Sequence, residues 1–189
     1  GPESAGAEPG PACYGRGGRL PTVTDANLIL NRLSAQHFLG GQMTLDRAAA
    51  EAAFSELSRQ MPPGEHGLPA LAWGVVQIAN AAMERAIRRI SVERGHDPRD
   101  FALVAFGGEG PLHACELAAH LAIPRVLVPR LPGVLSALGM VLSDLVKDYA
   151  QTILRRTICT TNPQLHEFFS PLLSRAASDM HHDGMRAPH

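Results

Sequence analysis

The chain has 189 residues, 45% of them hydrophobic and 19% charged, with a net charge of −1 and a pI near 6.8. That is enough apolar material for one domain, or a domain plus an extension. The balanced charge, together with one Trp and two Tyr, argues against nucleic acid as a partner, and no polybasic run points to an anionic membrane surface. Cys13, Cys115 and Cys159 are far apart and form no C-x-x-C pair. This speaks against a disulfide framework or structural zinc and for a reducing, cytoplasmic setting. No apolar run is long enough to span a bilayer, and no signal peptide is visible. The chain opens Gly1-Pro-Glu-Ser without Met and closes on Asp183-Gly-Met-Arg-Ala-Pro-His189, which reads as a piece of a longer polypeptide.

Residues 1–22 are rich in Gly, Pro and Ala and read as loop. A helix follows, with Thr24 as the expected N-cap, Asp25 in its first turn, and Leu28, Ile29 and Leu33 on its apolar face. After Gly40-Gly41, Thr44 is the expected cap of a second helix, which Pro62-Pro63-Gly64 ends. The segment Pro69 to Arg94 has the clearest helical period. It is expected to be the longest helix, with Val75, Ile78, Met83 and Ile87 buried and Gly95 at its C′ position. Asp97-Pro-Arg-Asp100 reads as a turn into a strand over 101–106. A helix over 111–122 and a second strand over 125–128 complete a β-α-β unit with parallel strands. Pro132-Gly133 opens a second turn and a short helix through Met140. Val146 to Thr157 reads as an extended strand and Gln164 to Ala177 as a helix. The order of elements makes the chain α/β.

The segment that carries chemistry is Phe101-Ala-Leu-Val-Ala-Phe-Gly-Gly-Glu-Gly-Pro-Leu-His113. A β-prone run stops at two glycines, a third follows, and Pro111 opens a helix. Bare glycines allow close approach to the backbone, and a helix start presents unpaired N–H groups with partial positive charge. The pattern suits a phosphate or another electron-rich group. Gly107-Gly108-Glu109-Gly110 is neither the dinucleotide fingerprint nor the P-loop, so spacing alone leaves a ligand loop and a plain βα connection equally open.

Five blocks resemble the hydantoinase/oxoprolinase family, and within it the A-subunit type of N-methylhydantoinase. They are Gly1 to Gly15, Thr22-Val-Thr-Asp-Ala-Asn27, Ser91 to Phe101, Val104-Ala-Phe-Gly-Gly-Glu-Gly-Pro-Leu-His-Ala114, and Pro132-Gly-Val-Leu-Ser-Ala-Leu-Gly139. The likeness is strong over 1–150, expected to be a partial family domain, and weak over 151–189, expected to be its C-terminal extension. It implies the second lobe of the actin-like, sugar-kinase-like ATPase fold. It also implies ATP-dependent activation of a poorly reactive amide, lactam or ketone by phosphorylation at oxygen. Hydrolysis of cyclic amides is the leading outcome; ketone carboxylation and a non-catalytic actin-like assembly module are the alternatives. A B-type subunit is the implied partner. Gly107, Gly108, Glu109 and Gly110 would be the adenosine-side loop. The family's Asp-x-Gly-Gly-Thr phosphate loop does not occur in these residues. The groups for Mg²⁺ and the ATP phosphates are therefore expected upstream, and the isolated chain is expected to be inactive.

Asp25 and His113 are the catalytic candidates. For each the residues alone also allow a plain role: a helix-start carboxylate, and a packed or hydrogen-bonded ring. Cys13 has no His nearby in sequence to activate it and reads as inert. Glu93, Arg94, His96, Asp97, Arg99 and Asp100 read as a solvated turn. His181-His182-Asp183 lacks a second ligand cluster, so no metal is assigned to it.

Overall fold

A computed structural model describes residues 4–62, 67–154 and 161–184. They fall into two compact units, 1–138 and 139–189.

In the first unit, α1 (Val23–Ile29) is capped by Thr22, not by Thr24 as expected. Asp25 lies three residues after Thr22, so the two residues close a reciprocal capping box: the Asp25 N–H donates to Thr22 Oγ1 and the Thr22 N–H donates to the Asp25 carboxylate. Thr24 thus sits inside the helix with its hydroxyl free for another partner. The cap of α2 (Arg47–Gln60) is likewise Asp46, whose Oδ1 accepts from Ala49 N–H at 3.0 Å. Thr44 does not serve, because the helix begins only at Arg47, after an extended Asp46. Leu45 is buried there, with its N–H on the Ala35 carbonyl.

The longest element is α3 (Leu68–Ile90), which gives way to a 3₁₀ turn at Val92–Arg94 and to Gly95 in the left-handed region. Its buried stripe is Ala72, Val76 and Asn80, one step round from the expected face. Val75, Met83 and Ile87 are half-buried, and Ile78 is 73% exposed. Ile78 lies two residues beyond Val76, about 200° around the helix, so packing one turns the other outward. Phe54, Leu28, Ile29, Leu45, Cys13, Ala50, Ala72 and Val76 form one core between α1, α2 and α3.

The β-α-β unit follows as β1 (Ala102–Val104), α4 (Gly110–His120) and β2 (Arg125–Leu127). The strands are parallel and adjacent, in register Ala102–Arg125, Leu103–Val126 and Val104–Leu127, and both are shorter than the sequence suggests. Ala118, Leu121 and Ile123 pack under them with Ile87, Leu103 and Val126.

A 3₁₀ turn at Pro132–Val134 leads into α5 (Leu135–Leu142), in which the first unit ends and the second begins. In the second unit, residues 146–154 form no strand. The remainder of the strand expected there, 155–157, lies outside the described residues. Instead of pairing with another strand, this stretch sends side chains to α6 (Asn162–His182): Tyr149 Oη donates to Asp179 Oδ2 at 2.8 Å, and Lys147 pairs with Asp183 just past the helix.

Candidate functional site

The glycine loop lies at the C-terminal end of β1, beside the turn that follows β2. Ligands of open α/β sheets bind at that end of the strands. Gly107 takes φ +88°, a conformation that side chains disfavour. Its N–H donates to the Pro132 carbonyl at 2.8 Å, which ties the two turns together. Gly108 and Gly110 are outside the left-handed region, and a Cβ at either would meet nothing within 4 Å. The fold therefore does not require these two positions to be bare. Among the described residues the N–H groups of Gly108, Glu109 and Gly110 find no acceptor, as expected for the uncapped start of a helix. The loop offers open space, unspent donors and the positive end of α4.

Glu109 occupies the N-cap position of α4, yet its side chain caps nothing. It reaches α1, where Thr24 Oγ1 donates to Glu109 Oε1 at 2.7 Å. From the same stretch of chain, the Arg32 guanidinium donates to the Leu112 carbonyl and pairs with Glu116 at 3.2 Å.

Asp25 is fully buried. Its carboxylate accepts from Ala12 N–H (3.2 Å), Cys13 N–H (2.8 Å), Thr22 N–H (2.9 Å) and Thr22 Oγ1–H (2.8 Å). These bonds fasten the 3₁₀ turn Ala12–Tyr14 to α1. Cys13 is buried against this carboxylate; burial first and the neighbouring Asp25 second push its thiol far above the ordinary range. A thiol in that setting is a poor nucleophile.

His113, in the first turns of α4, is buried and hydrogen-bonded through Nδ1 to Asn80 Oδ1 at 2.7 Å. Asn80 Nδ2 donates to Glu116 Oε2 at 2.6 Å, which leaves Asn80 Oδ1 as the acceptor and makes His113 Nδ1 the protonated nitrogen. Burial, and then the charge of Arg32, lower the His113 pKa, against opposing effects of Glu109 and Glu116. The neutral ring keeps its lone pair on Nε2. Gln77 completes this seam with a 3.3 Å bond to Glu116.

Asp97 caps the 3₁₀ turn Pro98–Asp100 and grips Arg99 at 2.6 Å, which holds its carboxyl down at about 2. In the second unit His181 and His182 are exposed. Among the described residues no three His, Cys, Asp or Glu side chains converge as a metal site would require, and no helix is long and apolar enough to cross a membrane.

The sequence reading missed Thr24 as a loop partner, and it missed Arg32, Asn80 and Glu116. One signal was available: Asn80 follows Ala72 and Val76 at four-residue spacing, and a polar residue on a buried stripe needs a partner.

The family model described as Hydantoinase/oxoprolinase matches residues 1–149. Caprolactamase subunit alpha from Pseudomonas jessenii is 40% identical over 97% of this chain and 26% of its own length. The crystal structure of ATP-dependent caprolactamase from the same organism superimposes with a TM-score of 0.66 at 37% identity, over 99% of this chain and 27% of that one. 5-Oxoprolinase 1 from Arabidopsis thaliana is 40% identical over 78% of this chain and 13% of its own length. The acetophenone carboxylase gamma subunit from Aromatoleum aromaticum is 41% identical over 80% of this chain and 20% of its own. The chain thus spans about a quarter or less of each of these relatives.

Proposed function

The chain belongs to the hydantoinase/oxoprolinase family, and from that premise we propose that it is part of an ATP-dependent hydrolase of cyclic amides. We propose further that Gly107, Gly108, Glu109 and Gly110 form the adenosine-side loop of its nucleotide site. The observation that carries this reading is the bareness of Gly108 and Gly110 at the mouth of a parallel sheet, where the fold itself has room for a side chain. The likeness to a caprolactamase subunit and a 5-oxoprolinase supports the substrate class, and the likeness to the structure of an ATP-dependent caprolactamase supports the cofactor.

The residues present suit one side of a nucleotide. Gly107 makes the turn, the loop N–H groups are free to donate, and α4 backs them. Bound ATP would supply the phosphoryl group that activates the amide oxygen. Mg²⁺ belongs to the proposal as ATP's companion, but the described residues contain no acidic cluster to hold it, so no residue here is assigned to it. Of the two catalytic candidates, Asp25 spends its carboxylate on backbone and Thr22 donors and serves as a positioning group in this reading. His113, neutral and with Nε2 unprotonated, retains an acceptor atom. Two of the relatives are named as subunits. We infer a multi-subunit enzyme with a B-type partner, placed in the cytoplasm.

The test uses the full-length protein co-purified with its partner subunit and offers ATP with 5-oxoproline, hydantoin or caprolactam. Lactam-dependent release of ADP supports the proposal. The acetophenone carboxylase relative favours a second reading, ketone carboxylation. ADP release that requires a ketone and bicarbonate would select it, and the absence of any nucleotide dependence would leave an assembly module.

A further inference from the structure

We propose that Thr24 keeps the glycine loop open to its ligand by holding the Glu109 carboxylate on α1, away from the loop's own N–H groups. This rests on the reading of 107–110 as a nucleotide loop and adds a positioning residue to it.

The hydroxyl of Thr24 is not used in capping, because Thr22 does that. It is buried and donates to Glu109 Oε1 at 2.7 Å, across 85 residues of sequence. A hydroxyl bonded to a carboxylate makes one of the stronger side-chain hydrogen bonds. Its effect on the loop follows from where Glu109 stands. A carboxylate at a helix N-terminus is drawn to the unpaired N–H groups and to the positive end of the dipole. Glu109 is at that position in α4 but bonds none of those groups. The N–H groups of Gly108, Glu109 and Gly110 stay unspent while Oε1 is engaged on α1. Arg32 holds the next turn of the same helix through the Leu112 carbonyl and Glu116. Residues 24 and 32 therefore fix the loop–helix junction on both sides of Gly110. Without the Thr24 hydroxyl, the Glu109 carboxylate is released next to donors that a ligand would use, and it competes for them.

The prediction is a suppressor relationship in the full-length protein, read by calorimetric titration of a non-hydrolysable ATP analogue. Thr24→Val should weaken binding about fivefold, the scale set by a carboxylate's attraction to a helix start. Thr24→Ser, which retains the hydroxyl, should bind as the parent does. Adding Glu109→Ala to Thr24→Val should restore the affinity, because the competing carboxylate is gone while the backbone N–H, the group by which residue 109 serves the loop, is kept. A purely structural role for Thr24 predicts instead that the double variant stays weak, and that result overturns the proposal. So does unchanged affinity in Thr24→Val while Gly108→Val loses binding, in which case the nucleotide-loop reading survives alone. Unchanged affinity in Gly108→Val removes that reading and this proposal with it. Should Thr24→Val not fold, Thr24→Ala enters the same cycle with the same expected outcomes.

Discussion

Phe54, Leu28 and Val76 are fully buried, whereas Val104 and Leu127, the last residues of β1 and β2, are 47% and 55% exposed. The polar groups differ in the same way. In the helical region many are spent internally: Asp25 collects four hydrogen bonds, and the Arg47 guanidinium binds the carbonyls of Leu28 and Ile29 and the side chain of Asn31, while the buried Asn27 amide is an exception with no partner among the described residues. At the ends of the strands the Gly108, Glu109 and Gly110 N–H groups find no acceptor among the described residues. One region is closed around its core, and the other presents donors to whatever meets it. On the proposed reading, stability and recognition fall to separate stretches of one unit, joined at the Thr24–Glu109 and Arg32–Leu112 bonds.

The sharpest way to break this division is through the core. Phe54→Ala removes a fully buried ring and should cost about 3–5 kcal/mol in denaturant unfolding, while the protein that remains folded binds nucleotide with parent affinity. Asp25→Ala comes next. It strands the Ala12 and Cys13 N–H groups and should cost about 3 kcal/mol by the usual penalty for unsatisfied buried donors, read as a lowered melting temperature.

The seam between the regions should respond to pH through His113. Its folded pKa lies below the ordinary 6.5, so the unfolded chain takes up the proton first. Stability is complete above 6.5 and declines as pH falls below it. Denaturant unfolding at pH 7.5 and 5.5 should show this decline, and His113→Gln should reduce it. The smallest effect belongs to the exposed turn at Asp97. The Arg99 guanidinium holds that carboxyl at about 2, so the turn's contribution persists above the unfolded value near 3.8 and fades only as pH drops toward 2. An NMR titration of the Asp97 carboxyl should find its midpoint there.

Much of the β-α-β unit and its glycine turn was legible in the sequence. A β-prone run, three glycines, a proline and a second short apolar run specify strand, turn, helix and parallel strand with little dependence on distant residues. The helix caps were less so, since Thr22 and Thr24 both suit an N-cap and only the three-residue spacing from Thr22 to Asp25 decides between them. The buried face of α3 was misjudged by one step because Ala72, a small residue with a weak hydrophobic signal, is the point of close packing. The strand expected from 146 did not form over its described part, because propensity without a pairing partner does not make a sheet. The Arg32–Glu116–Asn80–His113 seam joins residues 33 to 84 positions apart. No local pattern announces such pairings.

The central claim is that Gly108 is bare for the sake of a ligand. In the full-length protein, Gly108→Val places a side chain where the chain itself leaves open space. Calorimetric titration with an ATP analogue, run beside a thermal melt, tests the claim directly. The account predicts an affinity loss of about tenfold or more, corresponding to roughly 1.4 kcal/mol, with the melting temperature close to that of the parent. Parent affinity in the folded variant, or a lowered melting temperature with no separate loss of binding, would contradict it.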